Sequence, residues 1–192
     1  MAMRNKDEAK REEIIRATVK LVNEIGFASS SVAKIAEEAD VSPATIYIYF
    51  KNKEELLVTT YVEMKQLLGR ALLKDFDETR PPRDILRTFW FNGVEFMSKN
   101  RDFFQYSEQF SNSPYASLVD AREVDKYFEP LLKVLERGKS QKIIKDVPFD
   151  VLAAFVFYPI TFLSKTIVRT NIKMNEENID RSFTLAWDAI KL

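Results

Sequence analysis

Residues 31–53 read SVAKIAEEADVSPATIYIYFKNK, and this stretch determines the fold of the N-terminal part of the chain. Ser31 stands where the N-cap of a helix belongs. Apolar residues then recur at i, i+3, i+4 and i+7, the spacing of one helix face. They are Val32, Ile35, Ala36 and Ala39. The pattern predicts a short helix that packs on a core and ends before Asp40.

Ser42 and Pro43 predict the start of a second helix. A serine hydroxyl can accept from the free N–H groups of the next turn, and proline at the first helical position loses no hydrogen bond. Ile46 and Phe50 are spaced as core residues of this helix. Only a few residues separate the two helices. This spacing is typical of a helix-turn-helix, in which the second helix enters a DNA major groove.

A longer run, residues 14–61, carries a resemblance to a known family. It reads IIRATVKLVNEIGFASSSVAKIAEEADVSPATIYIYFKNKEELLVTTY. Its markers are the Gly26-Phe27 helix end, Val-x-x-Ile-Ala in the second helix, and Ser-x-x-Thr-Ile-Tyr-x-Tyr-Phe-x-x-Lys-x-x-Leu after it. This combination resembles the N-terminal domain of the TetR family of bacterial transcriptional regulators, over about the first third of the chain. The resemblance implies a double-stranded DNA operator as partner.

By this resemblance, three residues face the groove on the recognition helix: Pro43, Ala44 and Tyr47. Six more lie near the phosphates: Ser31, Lys34, Ser42, Thr45, Tyr49 and Lys53. Hydroxyls and lysines can hold phosphate oxygens without reading sequence, whereas small apolar groups and tyrosine can contact base edges and thymine methyls. Thr45 could instead cap its own helix.

One residue departs from the family pattern. The turn usually carries glycine before the valine, because that position favours a positive φ, and here it is Asp40. Aspartate tolerates the left-handed region better than most residues. We therefore expect the turn to form with some strain, with a negative charge near DNA.

Composition excludes several functions. The 192 residues contain 46% apolar residues, little glycine, and neither cysteine nor histidine. The absences exclude disulfides, thiolate nucleophiles, Cys/His zinc sites and histidine bases, so we expect no catalytic residues, metal or cofactor. Residues 4–13 are highly charged with no apolar run before them, and no run reaches about 18 apolar residues. We therefore expect a cytoplasmic chain with neither a signal peptide nor a membrane span.

Apolar periodicity predicts an all-α fold of about nine helices. The predicted ranges are 7–25, 32–39, 43 onward, 53–76, 85–98, 100–110, 114–139, 151–169 and 175–190. Gly26 is expected to stop the first helix, Pro130 could bend the seventh, and Pro159 should kink the eighth. We divide the chain into a DNA-binding head, 1–52, and an effector-binding and dimerisation body, 53–192.

The last two long helices carry apolar residues on more than one face, as helices facing both a core and a partner do. In the resembled family these helices form a four-helix bundle with a second subunit. We therefore predict a homodimer through about 148–191. The alternative is that they are simply central in a monomer.

Aromatic residues are abundant after residue 85, and at helical spacing they are usually core residues. The resemblance implies a pocket for a small apolar or aromatic effector among the body helices. The candidates are Phe89, Phe96, Phe103, Tyr106, Phe110, Tyr127, Phe155, Tyr158 and Phe162.

These observations favour a ligand-responsive transcriptional regulator, most simply a repressor that leaves its operator on binding the effector. One chain does not decide between repression and activation. A helical scaffold that does not read DNA is the alternative. An enzyme is disfavoured, because the carboxylate pairs stand at charged helix or loop ends without a His or Cys partner.

Overall fold

The computed structural model describes residues 2–165 and 175–192, with side chains from residue 7 onward. These residues form α-helices and one 3-10 helix, so the all-α prediction is confirmed. Extended pairing within the described ranges is confined to one isolated bridge between Ile144 and Lys191. Contacts group the chain into two compact units, the first formed by the described residues up to 65 together with 101–123, and the second by 66–100 together with those from 124 onward.

The helices in chain order are as follows: α1 Ala2–Ser29, α2 Val32–Glu38, α3 Pro43–Tyr49, α4 Lys53–Leu72, α5 Pro82–Lys99, α6 Arg101–Ser111, the 3-10 helix Pro114–Leu118, α7 Ala121–Asp125, α8 Glu129–Ser140, α9 Phe149–Val156, α10 Tyr158–Leu163 and α11 Glu176–Ile190. Helix α4 contributes residues to both units. The predicted division into 1–52 and 53–192 stays a prediction.

The first unit has two apolar clusters. One joins α1, α2, α3 and the start of α4 and is centred on Ile14, Ile35 and Ile46, which are all fully buried. The other joins α1, α4 and α6 around Val22, Leu57 and aromatic rings of α6. Phe50 is buried with Ile46, so the predicted core role of both residues is confirmed.

The second unit has one larger core, built from α4, α5 and α8 to α11. Trp90 is fully buried, and its indole N–H donates to the Val156 carbonyl at 2.6 Å. Its ring also meets Phe183 edge to face, with 5.9 Å between ring centroids. The buried Trp90 side chain, with its indole N–H satisfied, therefore holds α5 against α9 and α11.

Several predicted helix bounds are wrong. Helix α1 begins at Ala2 rather than near residue 7, and α4 ends at Leu72 rather than near 76. The predicted long helix 114–139 is instead the 3-10 helix followed by α7 and α8. Asp120 causes the first interruption, because its carboxylate accepts from the Arg122 N–H at 3.0 Å and forms a local turn.

The kink at Pro159 is confirmed, since α9 and α10 are separated at Phe157. The predicted helix 151–169 extends past residue 165, so its predicted end lies outside the described ranges. Asn175 caps α11 by accepting from the Asn178 N–H at 3.0 Å, and the helix ends at Ile190, as predicted.

Gly26 stops the regular course of α1, as predicted. Its φ of 77° and ψ of 166° are non-helical, and the chain re-enters a short helical turn through Ser29. This backbone region is essentially restricted to glycine. An added Cβ would have no neighbour within 4 Å, so only backbone strain opposes another residue here.

We predict that Gly26→Ala lowers the free energy of unfolding by about 1–3 kcal/mol, because alanine adopts this conformation only with strain. Urea denaturation followed by far-UV circular dichroism measures the change. Glu24→Ala, an exposed position two residues earlier on α1, serves as the control and should stay near wild-type stability. Equal stability of the Gly26 variant and the wild type would contradict the assignment of strain to this position.

Candidate nucleic-acid interface

The turn between α2 and α3 is closed by backbone hydrogen bonds. Asp40 adopts a left-handed φ of 51°, the region expected of it. The Asp40 N–H donates to the Glu37 carbonyl at 3.2 Å, and the Val41 N–H donates to the Ala36 carbonyl at 2.9 Å. This pair of bonds is a Schellman motif, which usually has glycine at the left-handed position. The turn therefore forms with aspartate in that place.

Serine caps begin both helices, as predicted. The Ser31 hydroxyl accepts from the Lys34 N–H at 3.3 Å, and the Ser42 hydroxyl accepts from the Thr45 N–H at 3.2 Å. Pro43 occupies the first turn of α3, where its missing N–H costs nothing. Local sequence alone thus sets where each helix begins.

The core decides which face of α3 points outward. Ile46 and Phe50 are buried against α1 and α2, and Tyr49 is half buried beside them. The opposite face is exposed and carries the three predicted groove residues together with one that sequence reasoning missed. They are Pro43, Ala44, Tyr47 and Ile48. Ile48 is 77% exposed, and its spacing of i+4 from Ala44 was the signal that could have identified it.

The hydroxyl and lysine candidates are arranged around this face. Ser31, Lys34 and Ser42 are exposed, while Thr45 is half buried. The Thr45 hydroxyl lies 2.9 Å from the Ser42 hydroxyl, so both groups belong to the cap of α3 and still border the exposed surface. The Lys34 ammonium donates to the Ser29 carbonyl at 3.1 Å. Their contacts with phosphates stay a prediction.

Lys53 is held by the protein itself. Its ammonium donates to the Phe27 carbonyl at 2.7 Å and lies 5.9 Å from the centre of the Tyr115 ring. Burial lowers the pKa of this ammonium, and the nearby Glu54 carboxylate opposes the shift. Lys53 thus links the end of α1 to the start of α4. Lys51, two residues earlier, is exposed and is a second cation that sequence reasoning left out.

Helix α6 is part of the same unit as these helices. The Tyr106 hydroxyl is buried and donates to the Leu57 carbonyl on α4 at 2.9 Å. Burial raises the pKa of Tyr106. The Phe110 ring stacks on Tyr61 with 4.3 Å between centroids, and Phe27 meets the Tyr106, Phe110 and Tyr115 rings. These contacts fasten α6 to α1 and α4.

The nine predicted effector residues are divided between the two units. Phe103, Tyr106 and Phe110 belong to the first unit, and the other six belong to the second. Within the second unit Phe89 is buried, Phe96 and Tyr127 are half buried, and three residues are exposed: Phe155, Tyr158 and Phe162. A cavity in this unit is lined by Phe89, by Leu131 and mainly by the connection between α4 and α5, and its volume of about 10 Å³ has room for one water molecule.

Residues 2–165 and 175–192 contain no group of three or more carboxylate, imidazole or thiol side chains that could hold a metal ion. Within the same ranges, every helix is too short or too polar to cross a bilayer.

A capped pair of short helices with an exposed second helix defines the class as a helix-turn-helix DNA-binding protein. Residues 14–59 match the model of the bacterial regulatory proteins of the tetR family. Residues 81–191 match the tetracyclin repressor-like C-terminal domain. The chain belongs to the TetR family of bacterial transcriptional regulators, and it is a DNA-binding regulator rather than an enzyme.

Similar proteins span nearly the whole chain. A helix-turn-helix transcriptional regulator of Haemophilus influenzae is 36% identical over 182 residues, which cover 94% of this chain and 95% of the relative. A TetR family regulator from Marinobacter aquaeolei VT8 has a crystal structure with a TM-score of 0.88 and 32% identity, covering 98% of each chain. A TetR-family regulator from Haemophilus influenzae Rd has a TM-score of 0.81 and 26% identity, covering 95% of this chain and 99% of that chain.

We predict that Lys53→Met lowers the free energy of unfolding by about 1–2 kcal/mol, because the Phe27 carbonyl loses a charged donor. Methionine keeps most of the apolar stem, so the change tests the ammonium. Lys51→Met is the matched control and should change stability by less than about 0.5 kcal/mol, since that side chain is exposed. Urea denaturation measures both. Equal stabilities of the two variants would show that the Lys53 bond contributes nothing to folding.

Proposed function

We propose that this regulator is a homodimeric repressor that reads its operator with α3 and leaves it on binding a small apolar or aromatic effector. The observation that carries the DNA-reading part is the exposed face of α3. Tyr47 is 54% exposed although the opposite side of the helix is fully packed. Large apolar and aromatic groups exposed beside a rigid core are typical of binding surfaces.

In this proposal the exposed face of α3 lies in the major groove. Pro43, Ala44 and Tyr47 meet base edges there, and the tyrosine hydroxyl can also bond a base. Six residues contact phosphates and set the register of the protein on the DNA: Ser31, Lys34, Ser42, Thr45, Tyr49 and Lys53. Two subunits would place their recognition helices in successive grooves, about 34–36 Å apart.

The homodimer is supported by an apolar stripe in the second unit. Phe155, Tyr158 and Phe162 follow each other at i, i+3 and i+7 along α9 and α10, and all three are exposed. Leu185 on α11 is 73% exposed. Helices α9 and α11 pack against each other within the unit. Both also carry exposed apolar residues. We assign these residues to the subunit interface, and thereby propose Phe155, Tyr158 and Phe162 as dimer residues rather than pocket residues.

The effector site is proposed in the second unit around Phe89, Phe96 and Tyr127. The 10 Å³ cavity beside Phe89 is far below the 300–1,000 Å³ of ligand pockets, so an effector would bind a different, more open arrangement of these helices. Such differential binding is what a ligand needs in order to shift a conformational equilibrium. Because α4 contributes residues to both units, its displacement would couple effector binding to the DNA-reading helix.

We predict that the protein binds duplex DNA from upstream of its own gene more tightly than a scrambled duplex, and that Tyr47→Ala removes the difference. Fluorescence anisotropy across a salt series measures this, and specific binding should persist at about 150 mM salt. Tyr47 is exposed, so its loss should leave folding intact, which circular dichroism checks. Equal weak binding to a full set of duplexes tiling that region would support the scaffold alternative and contradict operator binding there.

We predict that Phe155→Glu raises the dimer dissociation constant by roughly a hundredfold or more. A buried unpaired carboxylate costs several kcal/mol, and a two-fold interface contains two of them. Sedimentation equilibrium measures the dissociation constant. Leu118→Glu is the control, because Leu118 is a similarly exposed apolar residue on the 3-10 helix of the first unit. An unchanged dimer in the Phe155 variant, or a wild-type monomer, would contradict the proposed interface.

A further inference from the structure

Ile48 has no role in the interactions described so far. With 77% of its surface exposed, it is the most exposed large apolar side chain among the described residues. It belongs to α3, whose other branched aliphatic residue, Ile46, is 1% exposed in the core. Isoleucine is also a poorer helix former than the common polar residues. Local folding therefore gives no reason for isoleucine at this position.

The composition of α3 restricts what its surface can recognise. Its seven residues are Pro43-Ala44-Thr45-Ile46-Tyr47-Ile48-Tyr49. None of them is Arg, Lys, Asn, Gln, Asp or Glu, the side chains that form specific hydrogen bonds with guanine, adenine or cytosine. Sequence reading by this helix must rely on apolar contacts, supplemented by hydroxyl groups.

Only one apolar group marks a base in the major groove, the C5-methyl of thymine. Ile48 lies four residues after Ala44 and next to Tyr47, so it continues the exposed face assigned to DNA. Its β-branched side chain has a restricted χ1 on a helix, which holds its methyl groups in a defined position. Exposed Lys51 is three residues further along the chain, just after α3 ends, and carries a positive charge that can attract phosphates.

We infer that Ile48 is a specificity-determining residue that reads thymine by packing against its C5-methyl group. The inference rests on the proposed placement of α3 in the major groove and adds a residue and a base identity to it. Each half-site then contains at least one thymine whose methyl group is buried by Ile48. Binding there discriminates thymine from cytosine and also from uracil, which pairs identically but lacks the methyl group.

The experiment begins with selection of bound sequences from a random duplex library by the full-length protein. Each thymine of the selected half-site is then replaced by deoxyuridine, which removes the methyl group and leaves every base hydrogen bond in place. We expect at least one position at which this replacement weakens wild-type binding about three- to five-fold, the effect of losing one buried methyl group.

The decisive variant is Ile48→Ala. It should bind the thymine duplex about three- to ten-fold more weakly, and at one position the difference between thymine and uracil should disappear. Tyr47→Phe, which removes only a hydroxyl from the same face, should keep the thymine-uracil difference at that same position. Leu118→Ala, an exposed apolar change elsewhere in the same unit, should match wild type on both duplexes. Circular dichroism confirms that each variant folds.

The outcomes separate the inference from the proposed function. Sequence enrichment together with an unchanged thymine-uracil difference in Ile48→Ala overturns the inference and leaves DNA reading by α3 intact. Unchanged DNA affinity with an altered oligomeric state in the variant would make Ile48 a protein contact and also overturn the inference. Failure to enrich any sequence contradicts the proposed function itself, and the inference with it.

Discussion

The backbone turn at Asp40 and Val41 determines the function of the N-terminal unit, because it fixes the rotation of α3 about its own axis. Two backbone hydrogen bonds close α2, and the Ser42 cap opens α3 immediately afterwards. With both ends set, Ile46 and Phe50 enter the core. Tyr47 and Ile48 are then exposed as a geometric consequence. A shift of one residue in this turn would rotate α3 by about 100° and move Ile46 and Phe50 out of the core.

The second constraint is the junction of α1 and α4. The Phe27 carbonyl, directly after the break at Gly26, accepts from both the Lys53 ammonium and the Ser30 hydroxyl. The Phe27 ring packs on α6 and on Tyr115, which also lies under Lys53. Residues far apart in sequence are thereby joined into one unit. The contacts explain why residues 101–123 group with the helix-turn-helix rather than with the rest of the chain.

The parts of this structure that could be predicted from sequence are those governed by neighbours within about four residues. The caps at Ser31, Ser42 and Asn175 and the break at Gly26 are of this kind. The single helix predicted over 114–139 failed for a local reason as well, because Asp120 forms a turn that periodicity does not register.

Contacts distant in sequence set the other limit on prediction. Lys53 reads as a surface lysine in the sequence, and only the folded chain brings the Phe27 carbonyl to it. The aromatic residues illustrate the same limit. Three aromatic residues on helices have three different surroundings. Tyr106 donates a hydrogen bond to α4, Phe89 lies in a core, and Phe155 is exposed. Periodicity identifies an apolar face but not what covers it.

The balance of charges makes the apolar contacts proposed for α3 important. Lys and Arg equal Asp and Glu at 29 each, and on the head several cations are already paired, as Lys20 is with Glu38 at 2.6 Å. General attraction to DNA phosphates is therefore weak. Selection among DNA sites depends on the ratio of specific to non-specific affinity. When non-specific binding is weak, modest specific contacts are enough to favour the operator. Apolar contacts are insensitive to the salt that screens phosphate contacts. In the proposed dimer each contact occurs twice, so two small apolar surfaces would supply the discrimination that a more basic protein obtains from charged base contacts.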